Sequence, residues 1–388
     1  MKNFSPKRDF PDKLDIVANC ASGVETALKK EIFRNFGVDS PAINGLISFK
    51  GNLTDLVKAN LNLRTAERVY IKVGEFSAES FDELFDNVKA LGWEDFISID
   101  GKVTVNGKCV KSTLFSVSDC QKIVKKAVAD RLCAKYNYNR LPETGAEYHI
   151  EFSIFKNLAT VMIDSSGVAL HKRRYRDKRG VTPIKETLAS AILFYSDFFR
   201  DRPFYDPFCG SGTFVIEAAR IALNIAPGIN RKFAFNEWKN FDSKYYDRAL
   251  EEAKDNVKTG QKLDFCGSDI DSNAIKLSNY HAQNAGVKDK VKFFVKNVKD
   301  FRPQSNFGTV VTNPPYGVKA FDRKVAEECY ESFGNIMRGF PYWSVFAIVG
   351  KDNAFEKFYG KKCDRERKLY NSELECKLKY YYGKNVKE

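Results

Sequence analysis

Between Phe204 and Asn313, short apolar runs alternate with helix-spaced segments in a fixed order. FYDPF, a helical stretch from Thr213, DFCGSD, a second helical stretch from Ser272, VKFFV and TVVTN follow one another. Strands buried on both faces read as near-continuous apolar runs, and helices between them make parallel crossovers. The pattern predicts an α/β fold with a doubly wound, mostly parallel sheet, whose ligands gather at the carboxyl ends of the strands. A chain of 388 residues that is 43% hydrophobic can bury two or three such cores. Pro183 suits the first turn of a preceding helix through Ile184, Leu188, Ala191, Ile192 and Tyr195. Glu373–Tyr380 alternates strictly and reads as a half-buried antiparallel strand at or near a sheet edge.

The strand ends carry the polar signals. DPFCGSGT, Asp206 to Thr213, is a strand-turn-helix junction in which Gly210 and Gly212 let the backbone approach a ligand closely. That ligand need not carry phosphate, and the methionine part of S-adenosylmethionine fits such a turn. GSDID follows the next strand; Asp269 is placed to accept two ribose hydroxyls, and Asp271 to cap a helix. After VKFFV comes Lys296-Asn297, where Asn297 is either an adenine contact or an ordinary turn residue. TNPPYG, Thr312 to Gly317, follows strand TVV. Its two prolines stiffen the loop and leave carbonyls to accept. An exocyclic base amine is a poor nucleophile because its lone pair is delocalised into the ring. Asn313 Oδ1 and the Pro314 carbonyl can accept its two N–H groups and turn the lone pair outward. Pro315 holds the turn, and Tyr316 is placed to stack on an extruded base. Residues 226–263 make an unusually long connection with Arg231, Lys232, Phe233, Phe235, Trp238 and Lys239. It is either substrate surface or an inserted helical hairpin.

The first 165 residues show no catalytic constellation. Leu14–Ala18 reads as a strand, Gly23–Phe36 as a helix and Gly45–Phe49 as a strand. Ser80 and Glu83 form a capping box before Leu84, Phe85 and Val88. Lys102–Asn106 and Val110–Thr113 read as strands, Ser118 and Gln121 open a helix, and His149–Phe155 with Ala159–Ile163 read as a hairpin around Lys156-Asn157. Then comes HKRRYRDKR, in which six of nine residues are Lys or Arg. Charges so dense need water or a polyanion. The run is either a solvated linker or an RNA-binding strap with Lys172, Arg173, Arg174, Arg176 and Arg179 on phosphates and Tyr175 stacking.

A net charge of +13 favours polyanionic partners, though a basic surface also serves solubility. Nine cysteines with no C-x-x-C pair and only three histidines argue against a zinc site or a disulfide framework, so no metal is expected. The start, MKNFSPKRDF, has no apolar signal core, and no apolar run is long enough for a transmembrane helix. A cytoplasmic protein is expected.

DPFCGSGT, GSDID and TNPPYG in this order resemble the class I amino-methyltransferases. LHKRRYR, TPIKETLASAIL and KLYNSELECKL resemble a narrower group, the THUMP-domain methyltransferases related to the bacterial 23S ribosomal RNA guanine-N2 enzymes. Sequences of that group often carry the label N6-adenine-specific DNA methylase. The resemblance implies a ferredoxin-like subdomain over 1–50 and an RNA-binding THUMP domain over 51–165. A basic linker over 166–182 and a Rossmann-like catalytic domain with a seven-stranded sheet over 183–388 would follow. It implies a cofactor turn at Asp206, Phe208, Gly210, Gly212 and Thr213, a ribose acid at Asp269, and an amine-gripping loop at Asn313, Pro314, Pro315 and Tyr316. Asn297 departs from the Asp often found there. The implied activity is S-adenosylmethionine-dependent methylation of guanine N2 in ribosomal RNA. A DNA adenine-N6 methyltransferase and a non-catalytic ribosome-assembly factor are the alternatives.

Overall fold

The computed structural model describes residues 10–43, 45–177, 184–196, 198–199, 201–316 and 320–384. Two seven-stranded sheets organise the chain. The first half contributes β1 (Leu14–Asn19), α1 (Glu25–Phe36), β2 (Ala42–Ile43), β3 (Leu46–Gly51), α2 (Leu53–Asn62), β4 (Arg68–Ser77), α3 (Phe81–Ala90), β5 (Lys102–Val110), α4 (Val117–Tyr136), β6 (Glu147–Phe155) and β7 (Leu158–Asp164). Its strand order is β2-β3-β1-β4-β7-β6-β5, so one sheet runs unbroken from residue 14 to residue 164.

Local chemistry accounts for the main turns. Lys156 (φ 51°) and Asn157 (φ 64°) are both left-handed, the geometry that matches strand twist in a two-residue hairpin between β6 and β7. Ser80 Oγ accepts from Glu83 N at 3.2 Å, but Glu83 Oε2 accepts from Glu79 N at 2.7 Å, one residue before the cap. The capping box is therefore only half formed. The two strands expected over 102–113 are one: β5 is continuous to Val110, and Lys111 ends it by turning left-handed (φ 50°).

The second half supplies α5 (Glu186–Tyr195), β8 (Phe204–Asp206), α6 (Thr213–Ala222), α7 (Ser243–Asp255), β9 (Phe265–Asp269), α8 (Ser272–Asn284), β10 (Val291–Val295), β11 (Phe307–Thr312), α9 (Ala320–Arg338), β12 (Tyr342–Gly350), α10 (Ala354–Tyr359), β13 (Arg365–Asn371) and β14 (Leu374–Tyr381). The strand order is β10-β9-β8-β11-β12-β14-β13. Pairs from β10 to β12 are parallel, and β14 runs antiparallel between β12 and β13. The chain steps outward from β8 through β9 to β10 and then crosses back to β11 on the other side of β8, which makes the β8–β11 boundary a topological switch point. Ile184 precedes α5 rather than lying in it, and Pro183 lies outside the described residues. The alternation of β14 buries Cys376, Leu378 and Tyr380, while β13 rather than β14 takes the edge.

The long connection over 226–263 is neither open substrate surface nor a free-standing hairpin. It is a clasp between the two halves. Trp238 is 2% exposed and stacks on Tyr148 with ring centroids 5.1 Å apart, and on Phe10 at 6.0 Å. Phe233 and Phe235 are buried in the core of the first half, and Asn240 Nδ2 donates to the Phe96 carbonyl at 3.0 Å. Arg231 Nη1 donates to the carbonyls of Ala169 (3.0 Å) and Lys172 (3.2 Å). Aromatic surface of this size is far more stable buried against a second domain than facing water.

Candidate active site

A cleft of ≈ 810 Å³ opens at the carboxyl ends of β8, β9, β10 and β11. Asp206, Phe208, Gly210, Asp269, Asn297 and Asn313 all line it. Four segments far apart in sequence thus meet at the switch point.

The turn after β8 is built by its glycines. Gly212 has φ +82°, and a Cβ there would stand 2.9 Å from Phe293 Cζ and 3.1 Å from Ser278 Cβ. Its role is conformation and packing. Gly210 has φ +50°, yet a Cβ there would meet no atom within 4 Å. The space it leaves belongs to the cleft, not to the protein core. Ser278 Oγ donates to the Gly210 carbonyl at 2.7 Å and fixes the turn from α8. Thr213, the first residue of α6, is buried, and its Oγ1 accepts from Arg176 Nη1 at 3.3 Å. Phe208 packs edge-on against Phe333 with ring centroids 5.9 Å apart.

Asp206 lies beneath this turn, 2% exposed. Its Oδ1 accepts from Thr312 Oγ1 at 2.6 Å and from Phe208 N at 3.1 Å. Burial, with a smaller push from the charge on Asp269, holds its carboxyl up at about 7 against the donation from Thr312 and Phe208. Asp269 is fixed by backbone donors on both oxygens: Gly210 N at 2.9 Å and Asp271 N at 3.0 Å. It therefore faces the cleft as an oriented carboxylate with lone pairs to spare. Asp271 caps α8 by accepting from Asn273 N at 2.8 Å. Asn297 is a turn residue at the rim of the cleft: its Oδ1 accepts from Lys299 N at 3.0 Å and caps a short 3₁₀ turn, and the residue lines the cleft beside Lys296.

The loop after β11 brings Asn313 and Pro315 to the cleft. Asn313 Oδ1 is buried and accepts no hydrogen bond among the described residues. Pro314 is buried behind it. The Pro315 carbonyl accepts from Tyr330 Oη on α9, which pins the loop to that helix. Tyr316 departs from expectation. It packs into the core of the sheet with its hydroxyl 3.6 Å from Cys376 Sγ, and it does not line the cleft. The ring gains more from apolar contact than from standing in water, so stacking by Tyr316 on a base is not the arrangement present.

The basic run needs a larger correction. Tyr175 is 1% exposed and donates to Glu217 Oε1 at 3.0 Å, so it offers no stacking face. Arg173 is 2% exposed and donates to the carbonyls of Leu170 (2.6 Å) and Arg64. Arg176 pairs with Glu186 at 3.2 Å and donates to the Ile184 carbonyl at 2.9 Å. These side chains hold the two halves and the cofactor turn together. Lys172 and Arg174 are exposed and remain open to phosphate, and Arg179 lies outside the described residues. The residues that sequence reasoning missed are Thr312, Ser278 and Tyr330. Thr312 stood inside a recognised motif; the other two sit on helices with no local signal.

Residues 173–380 match the RMKL-like methyltransferase domain. The chain belongs to the RMKL-like methyltransferase family. Ahead of its methyltransferase domain, residues 15–70 match the RlmL ferredoxin-like domain and residues 78–164 the THUMP domain. This RMKL-like chain is 41% identical to the Bacillus subtilis protein named "Putative RNA methyltransferase YpsC" over 96% of its own length and 97% of that protein. A crystal structure from Listeria monocytogenes, described as "a predicted N6-adenine-specific DNA methylase", superposes with a TM-score of 0.92 at 44% identity, covering 96% of this chain and 97% of that one. A crystal structure described as "SMU.472, a putative methyltransferase complexed with SAH" (S-adenosylhomocysteine) superposes with a TM-score of 0.91 at 40% identity, covering 97% of the RMKL-like chain and 100% of its own. None of the helices of the described residues is long and apolar enough to cross a membrane.

Proposed function

We propose that this chain methylates the exocyclic amino group of a base in RNA, namely guanine N2 of the 23S ribosomal RNA, using S-adenosylmethionine. One observation carries the reading: Asn313 Oδ1 is buried at the cleft with no donor among the described residues. A buried acceptor left unpaired is costly, and a base amine supplies the missing N–H.

The cleft fits the cofactor. Gly210 leaves room for it, Asp269 presents lone pairs for ribose hydroxyls, and Asn297 has donor and acceptor capacity left for adenine. When bound, S-adenosylmethionine supplies an electrophilic methyl group on a sulfonium. The protein's part is orientation. In this reading Asn313 accepts one amine N–H and the Pro314 carbonyl the other, which draws the lone pair out of the ring system. Pro315, tied to Tyr330, keeps the loop from yielding. No strong base has to act first.

Three features support RNA as the polymer. The chain carries a net charge of +13, residues 78–164 match a THUMP domain, and the YpsC relative is named an RNA methyltransferase. Residues 1–50 and 51–165 then hold folded RNA, 166–182 join the halves with Lys172 and Arg174 facing phosphates, and 183–388 carry the chemistry. Incubation with labelled S-adenosylmethionine and either purified ribosomal RNA or DNA tests this. Label in ribosomal RNA is expected; label in DNA alone would overturn the reading.

A further inference from the structure

The edge strand β10 carries a stripe that neither the cofactor turn nor the amine loop uses. Its two phenylalanines face opposite ways. Phe293 packs against the cofactor turn, where a Cβ on Gly212 or Gly267 would strike its ring. Phe294 is 47% exposed and makes no ring contact among the described residues.

Lysines flank the exposed ring. Side chains two apart on a strand share a face and stand about 6–7 Å apart, which places Lys292 and Lys296 on either side of Phe294. Lys296 N donates to the Asp269 carbonyl at 2.9 Å, so the extended path continues through it. Burial and the charge on Asp264 push the Cys266 thiol up to about 11, while Lys292 and Lys296 pull it back. Both ammoniums therefore stand on the face where Cys266 packs beside Phe208. Asp264 lies at the amino end of β9, away from the cleft. Lys299 extends the row: it lines the cleft with Lys296 and acts on the Cys329 thiol of α9. None of the three lysines has an ion pair among the described residues. Lysine on an edge strand also repels strand pairing. That use calls neither for an exposed ring between the lysines nor for a row that turns into the cleft.

The register gives the distance to the chemistry. Val310, Tyr205, Cys266 and Lys292 lie in one row across β11, β8, β9 and β10. Thr312 and Phe294, two residues further on, are level with each other, about 14 Å apart at three strand spacings. Asn313 follows Thr312. We propose that β10 holds a single-stranded stretch of the RNA beside the target nucleotide, with one base stacked on Phe294 and phosphates on Lys292 and Lys296. Every base has a flat face, so the ring holds a strand without reading its sequence. The lysines supply the attraction for phosphate. A strand held there is already unstacked a few nucleotides from the base that Asn313 receives. The proposal rests on the reading of RNA as the substrate.

The test uses the full chain, transcribed 23S ribosomal RNA and labelled S-adenosylmethionine. Wild type, Phe294→Ala, Phe294→Leu, Phe294→Trp and Lys292→Gln are compared for kcat, KM and RNA affinity over a range of salt, with SAH affinity from calorimetry. Phe294→Ala is expected to weaken RNA affinity and raise KM by about 5–150-fold, the worth of one stacked base, with kcat at saturating RNA and SAH affinity within about twofold of wild type. Phe294→Trp should bind RNA at least as well as wild type, and Phe294→Leu as poorly as the Ala variant. Lys292→Gln should lower the slope of log affinity against log salt by about 0.7, whereas Phe294→Ala leaves it unchanged. Equal RNA affinity for wild type and Phe294→Ala, or full rescue by Phe294→Leu, would overturn the stacking role and leave RNA methylation standing. A loss of SAH affinity matching the loss of activity would overturn it too, by making Phe294 a support of the cofactor turn. Methyl label in DNA alone would overturn the RNA reading and the proposal together.

Discussion

Thr312 Oγ1 donates to Asp206 Oδ1 at 2.6 Å, tying the end of β11 to the end of β8. The bond is fully buried, and it joins the strand that carries the amine loop to the strand that carries the cofactor turn. Thr312→Val keeps the shape and removes the donor. Leaving the Asp206 oxygen short of a partner should lower stability by about 1–3 kcal/mol. SAH affinity and kcat should fall together, because both loops lose their common anchor. Urea unfolding and calorimetry check the two effects separately.

Asp206 also sets a pH dependence. Burial holds its carboxyl at about 7 in the folded chain against 3.8 for the free group. The folded state therefore keeps a proton that the unfolded state gives up. The stability this contributes is complete below the unfolded value and is lost as pH rises through about 7. Asp206→Asn has no such group. Between about pH 5 and pH 8 wild type should lose stability relative to Asp206→Asn; parallel profiles would show that Asp206 titrates normally.

The two turn glycines should fail in different ways. Gly212→Ala forces a left-handed side chain, with its Cβ 2.9 Å from Phe293 Cζ, and should lower stability by about 1–2 kcal/mol or more. Gly210→Ala meets no protein atom, so its larger effect should be on SAH affinity. Thermal unfolding with and without SAH separates the two outcomes.

The clasp makes a prediction about the whole molecule. Trp238→Ala removes a ring stacked on Tyr148 and should lower stability by about 3–5 kcal/mol. The unfolding of the two halves should come apart into separate steps, while SAH binding to the folded chain is retained. Two-wavelength denaturation curves that still coincide would argue against the clasp.

Much of the catalytic half was legible because its signals are local. Each of DPFCGSGT, GSDID and TNPPYG pairs a strand end with a polar turn, and each polar cluster reaches the cleft. What stayed hidden depends on distant partners. Tyr175 and Arg173 sit in a run whose charge density points outward, and partners far along the chain, Glu217 and the Arg64 carbonyl, help draw them in. The aromatic residues of 226–263 looked equally suited to a substrate because their true partners, Tyr148 and Phe10, lie in the other half. Tyr175→Phe should accordingly cost about 1–2 kcal/mol of stability with RNA affinity unchanged, whereas Lys172→Ala with Arg174→Ala should weaken RNA binding and flatten its salt dependence.

The central claim is that Asn313 grips a base amine, and Asn313→Ala tests it most directly. Ribosomal RNA treated with wild type or variant in the presence of S-adenosylmethionine is digested, and its nucleosides are resolved by mass spectrometry, with SAH affinity measured alongside. The account predicts N2-methylguanosine from wild type and a loss of at least about 100-fold in the variant, with SAH binding intact. Full methylation by Asn313→Ala would contradict it.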